Sequence, residues 1–165
     1  MNSAMPRYCI VPSPLGDLFL LSDTTNKALA ALWITGEKHS SSIAADWQLD
    51  DQALPAVRKQ LAEYFAGKRT EFHLPLSPVG TPFQMQAWQA LREIPYGTTR
   101  SYGQQAASIG NPNACRAIGL ANGRNPISII VPCHRVIGAN GSLTGYGGGL
   151  PAKKWLLHHE SQHRQ

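Results

Sequence analysis

Between residues 8 and 34 the apolar positions fall into three short runs, Tyr8 to Val11, Leu18 to Leu21 and Ala28 to Ile34. Turn chemistry separates them at Ser13-Pro14-Leu15-Gly16 and Asp23-Thr24-Thr25-Asn26, so the pattern predicts three strands in a meander. From Pro55 the spacing becomes helical. Val57, Leu61, Tyr64 and Phe65 share one stripe, and Gly67 is placed to end the helix. Lys68 to Gly80, carrying Pro75 and Pro78, reads as a linker.

The second half opens on a well-marked helix. Thr81 suits an N-cap, Pro82 the first helical position and Gln84 a capping box, with Trp88, Leu91 and Ile94 on the buried face and Pro95 ending the run. A second capping box, Ser101 to Gln104, opens a short helix through Ala106 and Ala107 that stops at Gly110. Asn111-Pro112-Asn113 makes a turn, and a third helix runs from Ala114 to about Asn122. Two short helices so joined form a helix-turn-helix, and Pro126 to Val131 reads as a strand on its wing side. The expected fold is α+β: a small N-terminal α/β domain over residues 1–78, then a mainly helical domain over 79–165 with a winged helix-turn-helix.

The third helix is built of small residues, Ala114, Cys115, Ala117, Gly119 and Ala121, and only Arg116 projects a long side chain. Small residues allow close approach to nucleic acid in a narrow groove. They equally allow packing on a neighbouring helix, which is the simpler reading of these residues alone. Charge adds a second signal. Seven basic side chains face eight acidic ones up to residue 80, whereas eight face two beyond it, so the second half suits a polyanionic partner or a merely solvated surface. Hydrophobic residues make up 42% of the chain and charged ones 15%, which excludes a disordered chain. No apolar run approaches the roughly 20 residues of a membrane helix. Met1 to Arg7 lacks an apolar stretch of signal-peptide length, so the expected location is the cytoplasm or a nucleus, without membrane contact. Three cysteines at 9, 115 and 133 make neither a disulfide framework nor a zinc pair. Cys9, His39 and His73 have no metal-site spacing, and no metal or cofactor is expected.

The chemistry concentrates at the end of the Ile127 to Val131 run, which Pro132 should terminate, leaving Cys133 just beyond a strand. Around it lie Asn125, His134, Arg135 and the glycine-rich Gly145-Tyr146-Gly147-Gly148-Gly149. A nucleophilic cysteine needs a proton acceptor, for which an imidazole is suited. In extended chain His134 would point away from its neighbour, so a bridging water is the expected link. Glu93 and Glu160 are the carboxylates of the basic half; Glu93 sits on a helix whose buried face is already assigned, so Glu160 is expected to orient the imidazole.

The segment Pro132-Cys133-His134-Arg135-Val136-Ile137, with Asn125-Pro126-Ile127 before it and Thr144-Gly145-Tyr146 after it, resembles the O6-alkylguanine-DNA alkyltransferases. The similarity extends to Tyr96-Gly97, Ser101-Tyr102-Gly103, Arg116-Ala117-Ile118-Gly119 and Lys154 to Glu160, about the last 85 residues. The resemblance implies a ribonuclease-H-like N-terminal domain and irreversible, stoichiometric transfer of an alkyl group from O6-alkylguanine in DNA to Cys133. It implies that His134 takes the thiol proton through water, that Glu160 orients it, and that Tyr102 donates to the departing guanine. Arg116 would fill the space of the extruded nucleotide, Asn125 would hold the turn before the active-site strand, and main-chain groups of Cys133 and Val136 would read the exocyclic amine. Tyr146 and Gly147 would line a mobile loop, and Gly103 and Ala117 would lie against DNA. The partner implied is double-stranded DNA, bound by a monomer through the minor groove with the damaged base flipped out, with cooperative assembly left open. Cys115 and Gly147 depart from the family, which commonly has alanine at the first position and in some members serine at the second. A Cys-His-Glu hydrolase that turns over, or a DNA-binding module that recognises lesions without repair, remain as alternatives.

Overall fold

The computed structural model describes residues 5–37 and 43–164. Four strands form one sheet: β1 (Arg7–Val11), β2 (Leu18–Ser22), β3 (Leu29–Ile34) and β4 (Gln48–Leu49), in the order β3-β2-β1-β4. The first three make the meander expected from the apolar runs, with antiparallel pairs Cys9–Leu20 and Leu20–Leu32 in register. The fourth, which carries no apolar run, adds in parallel to β1. Alternation along β2 explains why all five of its residues are buried. Leu18 and Leu20 enter the main core, while Phe19 and Leu21 face outward under an aromatic cover. There Phe19 stacks on Tyr8 at 5.1 Å and on Trp33 at 4.3 Å.

Helix α1 (Pro55–Phe65) packs Val57, Leu61 and Tyr64 into the same core, and Gly67, at φ 76°, takes the left-handed conformation that ends it. The predicted linker is tied down: Leu29 N donates to Pro75 O and Ser77 N to Leu29 O, so residues around Leu76 run along the outer edge of β3.

Helices α2 (Pro82–Arg92), α3 (Tyr102–Ser108) and α4 (Cys115–Gly123) follow, and both expected capping boxes form. The three are keyed together by buried polar contacts. Gln105 and Asn122 exchange reciprocal amide hydrogen bonds of 2.9 and 2.8 Å, Gln105 also donates to Ala87 O, and Trp88 Nε1 donates to Ala121 O at 2.8 Å. Each buried amide is thereby satisfied, which fixes the α3–α4 relationship more sharply than the small apolar cluster of Ala87, Ala106, Ile118 and Ala121 would. Strands β5 (Arg100–Ser101) and β6 (Val136–Ile137) pair in parallel, and α5 (Leu150–Gln162) closes the chain. Ile127, Ile129 and Val131 pack in the same core as the sheet residues, so the sheet part and the helical part of this mixed α+β fold share an apolar centre.

One expected element is absent. Residues Pro126 to Val131 do not form a strand but a compact turn stitched by Ile130 N to Ser128 O and Val131 N to Ile127 O. Apolar, β-branched content suited a buried strand, yet Asn125 bends the chain by donating Nδ2 to Val131 O at 2.8 Å and accepting Ile127 N at 3.0 Å. Only Ile127 bridges to the sheet, at Leu32. Ile129 is held at φ 73°, a strained setting for a β-branched residue, costing on the order of 1–3 kcal/mol. Its side chain is almost wholly buried, and that packing opposes relaxation.

Candidate active site

The tight turn delivers the chain to Pro132, and Cys133–Arg135 then forms a single 3-10 turn. Cys133 therefore starts a helical turn that follows a compact turn rather than a strand. It is half-buried and lines a cleft of about 390 Å³ with Tyr102, Gly119, Asn122, Gly123, Tyr146 and Gly147. Burial pushes its thiol up to about 11, opposed by the Asn125 side chain and by the charge of Lys153, and reinforced by Glu37. At neutral pH the resting group is the thiol.

His134 turns inward and is completely buried. Its Nε2 lies 2.7 Å from Glu160 Oε2, while Nδ1 is buried without a hydrogen-bond partner among the described residues. Glu160 is also buried, so it is not a solvated helix-end carboxylate. Arg135 forks onto it, with Nε donating to Oε1 at 2.8 Å and Nη2 to Oε2 at 3.0 Å, and its Nη1 donates to Ile94 O. Tyr64 Oη adds a 2.6 Å bond to Oε2, and Gly97 N approaches Oε1 at 3.4 Å. Burial by itself would raise the Glu160 carboxyl, but the donors of His134 and Arg135 hold it well below the usual range. With Glu160 ionised, Nε2 of His134 carries the proton and Nδ1 presents its lone pair. Burial lowers the imidazole's affinity for a second proton, against the pull of Glu160.

The remaining residues singled out in the sequence divide into two groups. Tyr102, Tyr146 and Gly147 meet Cys133 at the cleft. The Tyr102 hydroxyl shares a 2.6 Å hydrogen bond with Thr144 Oγ1, and a Cβ added at Gly147 would lie 3.0 Å from Glu37 Cγ, so a larger residue there requires the Glu37 side chain to shift. Arg116 and Ala117 lie on the exposed side of α4, Gly103 sits half-buried beside Cys115, and Asn125 and Val136 are buried behind the cleft. Val136 O already accepts Lys153 Nζ at 2.6 Å. Cys115 is exposed on α4.

Lys153 escaped sequence reasoning. It is fully buried and bonds both Val136 O and Thr144 O, at 2.6 and 2.9 Å, tying β6 to the loop over the cleft. Nothing in its place on a C-terminal helix between alanine and lysine distinguishes it from a surface cation. Gly119, Asn122 and Gly123 were also missed as cleft residues; the small-residue pattern of α4 was the available signal. Cys9 is buried with its thiol 3.6 Å from Ala53 O, His73 pairs on the surface with Glu71, and His39 lies outside the described residues. No helix among the described residues is long and apolar enough to cross a membrane.

Two family models match the chain: residues 82–162 fit the 6-O-methylguanine DNA methyltransferase, DNA binding domain, and residues 7–78 its ribonuclease-like domain. A relative from Methanosarcina acetivorans, named methylated-DNA--protein-cysteine methyltransferase, is 49% identical over 91% of this chain and 95% of its own. One of the same name from Mycobacterium bovis is 50% identical over 93% and 91%. Among solved structures, Mycobacterium tuberculosis OGT in complex with DNA superposes with a TM-score of 0.89 at 48% identity, covering 95% of this chain and 94% of that one.

Proposed function

The chain belongs to the 6-O-methylguanine DNA methyltransferase family and repairs DNA by alkyl transfer, and on that premise we propose how its residues carry the reaction. Cys133 is the nucleophile. Its proton passes through a water to Nδ1 of His134, whose opposite nitrogen is held by Glu160. The thiolate then attacks the alkyl carbon of O6-alkylguanine, an S–C bond forms as the C–O6 bond breaks, and the electron pair leaves with guanine. Tyr102, released from Thr144, donates its hydroxyl proton to the departing ring. The thioether has no route back to thiol, so each molecule acts once.

What most supports this reading is His134, next to Cys133 in the chain: its buried Nδ1 has no hydrogen-bond partner among the described residues and its Nε2 is held by an ionised carboxylate, while Cys133 opens on a cleft. A thiol raised to about 11 by burial rests protonated at neutral pH, so a general base must take its proton before attack.

The α3–α4 pair serves as the helix-turn-helix of a winged unit, and the sheet part as a ribonuclease-H-like domain. The exposed small-residue side of α4 enters the minor groove of double-stranded DNA, Arg116 replaces the flipped nucleotide, and Gly103 and Ala117 lie near the backbone. Tyr146 and Gly147 line the loop closing over the lesion, Asn125 holds the turn, and the second lone pair of Val136 O is left for the exocyclic amine. The protein works as a cytoplasmic monomer with no cofactor.

Intact-protein mass after incubation with an oligonucleotide bearing one O6-methylguanine, followed by peptide mapping, tests this. One methyl per chain, on Cys133, is expected. Catalytic turnover without mass change would point to a hydrolase, and lesion binding without mass change to a recognition module.

A further inference from the structure

We propose that Tyr64, from α1 of the sheet part, is a positioning residue for the transfer reaction: its hydroxyl, donating to the carboxylate oxygen that holds His134, keeps the imidazole in its proton-accepting form. This rests on the reading of Cys133, His134 and Glu160 given above.

Tyr64 is wholly buried, and its Oη lies 2.6 Å from Glu160 Oε2, closer than the 2.7 Å of His134 Nε2. Oε2 thus accepts from Tyr64, His134 and Arg135 together. Each donor draws charge from the oxygen, so a carboxylate stripped of one becomes a stronger partner for a positively charged imidazole. Without the hydroxyl, His134 would take a second proton more readily, on Nδ1, the atom that must stay open for the thiol proton. The ring itself is locked: Phe65, Phe72, Tyr96 and His159 surround it, and His159 Nε2 is 2.7 Å from Tyr64 O. Other groups facing the pair are Arg135 on the same turn, Lys153 of α5, and Tyr96 and Tyr146 from the loops. Beyond them lie Cys133 itself and Glu37, just past the turn that follows β3. Arg135 and Lys153 disfavour the imidazolium, and Tyr64 acts in the same direction by sharing Oε2.

The test is the single-turnover methylation rate of Cys133 as a function of pH, read by mass, for the full chain and Tyr64→Phe. Phenylalanine retains the packed ring. The acid limb of the variant is expected to move up by about one pH unit, a loss approaching tenfold below the limb and none above pH 8. Site-specific 3-fluorotyrosine at position 64, a stronger donor, should move the limb down, and it keeps the proposal testable should the phenylalanine variant fold poorly. Superposable pH profiles in the presence of wild-type transfer would overturn the role of Tyr64. Absence of transfer by the wild-type chain would instead overturn the reading beneath it.

Discussion

Glu160→Gln is the substitution that most severely tests the buried network. It removes one charge at a side chain that is 1% exposed and leaves Arg135, 7% exposed, without its counter-ion. The glutamine keeps one accepting oxygen, but its amide nitrogen must face either Arg135 Nε or the pair His134 Nε2 and Arg135 Nη2, donor against donor. Removing one partner of a buried pair costs about 3–5 kcal/mol, most of it the stranded charge. For a chain of this size a Tm drop of roughly 6–20 °C follows, at about 2–4 °C per kcal/mol. Urea unfolding supplies the free energy and calorimetry the Tm. A second arm isolates the cause. If the loss is the stranded guanidinium, Arg135→Met in the Glu160→Gln background should return at least about 2 kcal/mol, despite leaving Ile94 O without its donor. A single-variant loss below about 1 kcal/mol, or simple additivity in the double variant, would refute the reasoning.

Acid should destabilise the protein in two stages. His134 binds its proton less readily folded than at its ordinary value of 6.5, so its contribution is complete above that value and is lost as pH falls below it. Glu160, held below its ordinary 4.5, adds a second loss as pH falls under that value; urea midpoints flat from pH 7 to 5 would contradict the first stage. Asn125→Ala strands the buried Ile127 N–H and frees a strained turn, for an expected loss of roughly 2–4 kcal/mol together with slower transfer; full retention of both in unfolding and mass assays would deny it the turn. Arg116→Ala should slow transfer from duplex DNA far more than from free O6-alkylguanine base, and equal rate losses would remove it from base extrusion.

The capped and periodic elements were legible in the chain. Thr81 with Gln84 and Ser101 with Gln104 announced two helices because both halves of each capping box are local. Tyr8 to Ile34 announced three strands because turn residues part their apolar runs. The turn from Asn125 to Val131 was misread as a strand, since its cause is a six-residue side-chain bond that overrides β-branched content. At the site, Cys133, His134 and Glu160 stood out by chemical type and by resemblance. Tyr64 and Lys153 did not: the first reads as one more core aromatic, the second as one more surface cation. Their meaning comes from contacts spanning 96 and 17 residues, which no local pattern encodes.

The reciprocal amides of Gln105 and Asn122 also constrain how the family can diverge. Each carboxamide offers an oxygen to one partner and an NH2 to the other, so neither can become an acid, an amine or an aliphatic residue without orphaning its mate inside the protein. The two positions are expected to covary among relatives, switching as a pair to apolar residues or persisting as a pair of amides. A lineage that altered one alone would loosen the angle between α3 and α4, and with it the separation of Tyr102 from the cleft residues of α4.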